Sequence, residues 1–116
     1  MKASTLVISR TYFRLTFADR DLTMPGVEPA VFLGEVTDEG GTHGFVFQDT
    51  FSYIRHGSGL EGDEQHEEIA LVFVPESDLG AMYDVEELAA EVAEAARRAV
   101  SLNYPVLKAL ERTREG

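Results

Sequence analysis

The chain has no cysteine, which excludes a disulfide framework, a thiolate metal centre and a cysteine nucleophile. A thiol-free composition fits a reducing compartment. Tryptophan is absent too, and proline is rare: Pro25, Pro29, Pro75 and Pro105 are the whole set, and each is expected at a boundary. Long hydrophobic runs are missing. The run Ile69 to Val74 falls far short of the roughly 20 residues of a membrane-spanning helix. The segment Leu6 to Ile8 is too brief for the apolar part of a secretory leader, so the cytoplasm is the expected location. Positive charge is also in short supply. Ten basic side chains stand against 21 acidic ones, a formal net charge of −11. Such a surface repels phosphate backbones and anionic lipids, so neither nucleic acid nor membrane is an expected partner. It favours solubility and the steering of a basic partner.

What remains is the material of one folded unit. A length of 116 residues implies a single domain, 1–116, and such a chain can bury a core without staples. The wealth of Ala, Glu, Arg, Gly and Val suggests a GC-rich bacterial genome. No repeat and no low-complexity segment divides the chain.

The clearest local signal is Asp84 to Asn103. Val85, Leu88, Ala89, Val92, Ala96, Ala99 and Val100 recur at three- and four-residue spacing, an apolar stripe on a helix. Glu87, Glu91, Glu94, Arg98 and Ser101 fall on the other side. Asp84 and Glu87 have capping-box spacing, Glu94 and Arg98 are placed for an i,i+4 pair, and Asn103 followed by Tyr104-Pro105 ends the helix. A stripe so rich in Ala is shallow, and a β-sheet is the expected cover.

Residues 5–18 alternate as a strand. Val7, Thr11, Phe13, Leu15 and Phe17 share the expected buried parity; Arg10, Tyr12 and Arg14 share the expected open one. Asp19 to Pro29 reads as a connection. Ala30 to Thr37 and Thr42 to Arg55 read as a hairpin across Asp38–Gly41. In its second strand Phe45, Phe47, Phe51 and Tyr53 share a parity with Asp49, unless a bulge or bend at Gln48-Asp49 breaks the register. His56 to His66 is a Gly-rich acidic loop. Glu67 to Val74 reads as a central strand because Ile69 to Val74 carries no polar residue. A connection with one helical turn then reaches the long helix, and Tyr104 to Thr113 reads as a short last helix.

The chemical motifs are weak. His56-Gly57-Ser58-Gly59 lacks the spacing of a nucleophile elbow or a phosphate loop, and a turn is expected. The run Glu61, Asp63, Glu64, His66, Glu67, Glu68 lacks calcium-loop spacing and reads as a solvated loop. His43, His56 and His66 lie at turns without ligand spacing, so no metal and no cofactor are expected. Asp49 has two readings: a desolvated carboxylate with a raised pKa, or a structural residue that marks a bend and caps it or pairs with an arginine such as Arg14 or Arg55. Arg10, Tyr12 and Arg14, with Arg55 nearby, form the local positive feature and suit a carboxylate or phosphate clamp.

The sequence therefore predicts an α+β fold. It is a two-layer, mainly antiparallel sheet of four to five strands in β-β-β-β-α order, with a long C-terminal helix across one face. Phe13, Phe17, Phe45 and Phe47 are expected to face Val85, Leu88, Val92 and Val100. Three functions are open. The first is a non-enzymatic protein-interaction module of inhibitor or immunity-like type, with no catalytic residues. The second is a small-ligand or anion-binding domain using Arg14, Asp49, Tyr53 and Arg55, with weak enzymatic activity conceivable. The third is a structural homo-oligomer, a homodimer above all, without a small-molecule site.

Overall fold

The computed structural model describes residues 5–61 and 68–103. The expected helix Tyr104 to Thr113, and His66 with most of the acidic run, lie outside them. The fold is α+β. Five antiparallel strands form an open sheet: β1 (Thr11–Phe17), β2 (Pro25–Thr37), β3 (His43–Asp49), β4 (Leu71–Pro75) and the two-residue β5 (Met82–Tyr83). Their spatial order is β4-β3-β2-β1-β5. Helix α1 (Thr50–His56) joins β3 to β4, a 3-10 turn (Glu76–Ala81) joins β4 to β5, and α2 (Val85–Ser101) ends the described chain.

The first hairpin is longer than the sequence suggests, because β2 starts at Pro25 rather than Ala30. Pro25 and Pro29 pair with Phe17 and Phe13 of β1, while pairing to β3 begins only at Ala30. The early half of β2 thus has a free edge, where a residue without an N–H breaks no ladder. A register shift between Phe32 and Gly34 marks a bulge. Gly34, at φ +155, takes a backbone conformation that side chains disfavour.

Both sheet faces carry apolar residues, and the main core joins Tyr12, expected on the open face, to Phe45 and Phe47, expected on the covered one. Tyr12 is buried in one cluster with Phe32, Phe45, Phe47, Leu79 and Met82, its ring edge-on to Phe32 and Phe47. Its hydroxyl accepts from the Val7 amide at 2.8 Å and donates to the Thr5 carbonyl at 3.3 Å, which satisfies a polar atom under the N-terminal segment. Phe13 and Phe17 have the opposite parity, so they do not share a face with Phe45 and Phe47 as expected. A smaller cluster, Val31, Leu33 and Val46 with Tyr53 and Phe73 against it, occupies that second face. There the Phe73 ring lies on Gly44, whose hypothetical Cβ would sit 2.4 Å from the ring; only glycine permits this approach.

β4 is an edge strand, not the expected central one. It pairs with β3 alone, and Leu71 and Val72 stay exposed. The expected strand to Arg55 ends at Asp49, where α1 begins. Asp49 accepts from the Ser52 amide at 2.9 Å, and this cap overrides the strand preference of Phe51, Tyr53 and Ile54.

Helix α2 has the expected start: Asp84 accepts from the Glu87 amide at 2.7 Å, and Glu87 accepts from the Asp84 amide at 3.1 Å. It ends at Leu102, followed by Asn103 at φ 59. Its orientation differs from expectation. It touches the sheet at β1 and β5, burying Ala95 and Ala99. Val85 and Val100 are 63% and 67% exposed, and Val92, Ala89 and Ala96 are exposed with them. The apolar arc of the helix is wider than the contact, and only one flank of it is used.

Candidate functional site

Among the described residues, a groove on the Tyr12 face and the outer face of α2 stand apart from the caps and the core. The groove has a volume of about 300 Å³. Its floor and apolar walls are Ala30, Phe47, Val72, Val74, Pro75 and Met82, and its far side is Asp78 and Ala81 from the 3-10 turn. Arg14, Glu28 and Asp49 also line it. Register explains the gathering: Arg14 pairs with Glu28 on β2 and with Met82 on β5, Ala30 with Asp49, and Phe47 with Val72. Directly paired residues project to the same side. Arg14, Glu28 and Asp78 make no side-chain hydrogen bond or ion pair among the described residues.

The four residues singled out from the sequence divide into two pairs. Arg14 and Asp49 line the groove. Tyr53 lies on α1 against the opposite-face cluster, and its hydroxyl donates to Ser9 Oγ at 3.0 Å. Arg55 is also on α1 and binds Glu68, with Nη1 at 3.2 Å from Oε2. The four therefore build no common clamp. Arg10 and Arg14 remain exposed, but Tyr12 between them is buried.

Asp49 takes the capping role. Its carboxylate accepts from the Ser52 amide, the Ser52 hydroxyl and the Ala70 amide. The hydroxyl bond above all, with the amide bonds, holds its pKa below the usual carboxylate value against a desolvation that raises it. Ser52 is buried and donates to Asp49, with Gln48 Nε2 donating to it in turn at 3.0 Å. Buried Gln48 also donates to the Gly57 carbonyl at 3.1 Å and accepts from the Gly59 amide at 2.8 Å. This network fastens the turn after α1 to β3; no sequence motif flags it, since Gln48 is an ordinary strand residue until the chain folds back over it.

The two described histidines stay apart. His43 Nε2 lies 3.3 Å from Glu35 Oε2, and His56 Nε2 lies 3.2 Å from Glu68 Oε2. Glu68 is lowered by its bonds to His56 and then Arg55. The described residues contain no group of three metal-ligating side chains.

The outer face of α2 is an unbroken row of Val85, Ala89, Val92, Ala96 and Val100. Glu86 and Arg97 flank it, both exposed. Arg97 pairs with Glu94 at 2.7 Å, in place of the expected Glu94–Arg98 pair. Arg98 instead donates from Nε to the Leu22 carbonyl at 2.8 Å, with its guanidinium 5.6 Å from the Phe17 ring centre. Leu22 belongs to a turn built on Asp19, which accepts from the amides of Thr23 and Met24 and from the Thr23 hydroxyl. Loop and helix are thereby fastened together. No described helix is long and apolar enough to cross a membrane. No protein-family model, curated protein or solved structure matches this chain.

Proposed function

We propose that this chain is a non-enzymatic interaction protein whose partner on α2 is a second copy of itself. The observation that carries this reading is the exposed row Val85, Ala89, Val92, Ala96 and Val100. The first three steps along it are four, three and four residues, the spacing of a coiled-coil seam, and a fourth step of four reaches Val100. Alternating Val with Ala leaves room for a neighbouring helix to approach at the short end of the roughly 8–10 Å range of packed helices.

Charge favours an antiparallel second copy. The first half of α2 is acidic, with Asp84, Glu86, Glu87 and Glu91; its basic residues, Arg97 and Arg98, are near the end. A two-fold pairing centred near Val92 sets the acidic start of each helix beside Arg97 of the other. Such exposed pairs contribute only about 0–1 kcal/mol and set orientation more than affinity. One helix face is small beside the roughly 800 Å² per partner of a standard interface, so the complex is expected to be weak and reversible.

Sedimentation equilibrium tests this. The chain should dimerise with a dissociation constant in the micromolar range, and Val92→Asp should be monomeric with unchanged far-ultraviolet circular dichroism. A wild-type chain that stays monomeric at several hundred micromolar overturns the reading, as does a Val92→Asp variant that dimerises equally well.

A further inference from the structure

The groove on the Tyr12 face carries an inference independent of α2. Four charged side chains line an apolar hollow, and three of them, Arg14, Glu28 and Asp78, have no side-chain partner among the described residues. Arg14 is cationic; Glu28 faces it across the β1–β2 ladder, and Asp78 stands on the 3-10 turn. An arginine and a carboxylate directly opposite on paired strands are close enough to bond, yet they do not. Each keeps its hydrogen-bonding capacity for something else. Between them lie Ala30, Phe47, Val74 and Met82, which offer nothing polar from their side chains.

We infer that this groove binds a free α-amino acid with an apolar side chain. The Arg14 guanidinium takes the carboxylate, Glu28 or Asp78 takes the ammonium, and the aliphatic or aromatic body lies on Phe47, Val74 and Met82. The chemistry selects this class on three counts. A guanidinium fork matches a carboxylate with two parallel hydrogen bonds. The acidic groups repel a simple anion, which removes free phosphate and dicarboxylates as first candidates. A volume of about 300 Å³ lies at the low end of the roughly 300–1,000 Å³ of ligand sites, which suits a molecule smaller than a drug. Asp49 is not a ligand group, since its oxygens are already occupied by Ser52 and Ala70.

A titration of the full chain followed by amide nuclear magnetic resonance tests the inference with three probes: L-leucine, L-leucinamide, which lacks the carboxylate, and N-acetyl-L-leucine, which lacks the ammonium. L-Leucine should shift the amide signals of Ala30, Phe47, Val74 and Met82 saturably, and each blocked probe should bind at least about tenfold more weakly. Arg14→Gln should reduce L-leucine to the affinity of leucinamide and leave leucinamide unchanged; Arg14 is exposed, so this variant is expected to fold. Equal binding of all three probes would reduce the site to a greasy surface and sink the inference, as would no saturable shift at millimolar L-leucine. The monomeric Val92→Asp variant should bind L-leucine like wild type, so failure here and failure of self-association through α2 can be told apart.

Discussion

Asp49 shows how one residue redirects the chain. The Phe-rich stretch around it has strand propensity, yet the carboxylate captures the Ser52 amide and hydroxyl and starts a helix there. Removing the cap by Asp49→Ala should cost about 1 kcal/mol, within the range of about 0.5–2 for such losses. The lowered pKa adds a pH signature. A carboxylate whose folded pKa lies below its unfolded value stabilises the fold above the unfolded value, here near 3.8. That stabilisation is lost as pH falls through the folded value. Asp49→Asn keeps a capping oxygen but no charge. In urea titrations the wild type should exceed Asp49→Asn at pH 7, and the gap should narrow near pH 3. Asp19, Glu68 and Glu94 are lowered as well, but they are common to both proteins and cancel in the difference. A gap independent of pH would show that the charge contributes nothing. The capping role was readable in the sequence because it needs only neighbours three residues away. The Gln48 network was not, because its partners Gly57 and Gly59 return to it only after a helix is formed.

At the scale of elements, α2 separates what local sequence determines from what it leaves open. Its start and end follow from Asp84, Glu87 and Asn103, all of which act within one turn. Its rotation does not follow, because the apolar arc from Ala95 through Val92 to Val100 is broader than any single contact. In the rotation it adopts, Ala95 and Ala99 are buried, and Arg98 holds the Leu22 carbonyl and lies over Phe17. An exposed cation–π contact contributes about 0.5–1 kcal/mol, and a charge-assisted hydrogen bond at a solvated site is of similar size. Arg98→Ala should therefore weaken the docking of α2 by about 1 kcal/mol. Native-state hydrogen exchange should show Val92 to Leu102 exchanging about fivefold faster, with β2 and β3 unchanged. Exchange that accelerates equally in the sheet would mean that α2 and the sheet open as one unit. The same ambiguity misplaced β1. One parity of Thr11–Phe17 carries Phe13, Leu15 and Phe17 and the other a single aromatic, and only the ring contacts with Phe32 and Phe47 show that Tyr12 belongs to the main core. β4 misled for a related reason: an unbroken apolar run implies two covered faces, but here it lies at an edge, paired with β3 alone, and Leu71 and Val72 stay exposed.

The whole molecule sets a net charge of −11 against the exposed apolar row of α2, and the balance decides how the proposed self-association should respond to salt. Two copies that meet at α2 each bring an excess of carboxylates, and this repulsion acts over the Debye length. Raising sodium chloride from about 0.01 M to about 0.1 M shortens that length from about 30 to about 10 Å. The attraction of the Val and Ala side chains is nearly untouched by this change. The Glu86–Arg97 pairs across the seam weaken with salt, but they contribute at most about 1 kcal/mol each. Repulsion is the larger screened quantity, so the dimer should tighten several-fold over that interval, measured by sedimentation equilibrium at constant pH. Weakening instead would assign the interface to ion pairs and not to the seam. Arg97→Glu separates the contributions further. It adds two negative charges per chain and removes the orienting contact, so it should loosen the dimer at low salt and recover much of the loss at high salt. Val92→Asp should stay monomeric at both, because screening cannot restore a buried apolar contact.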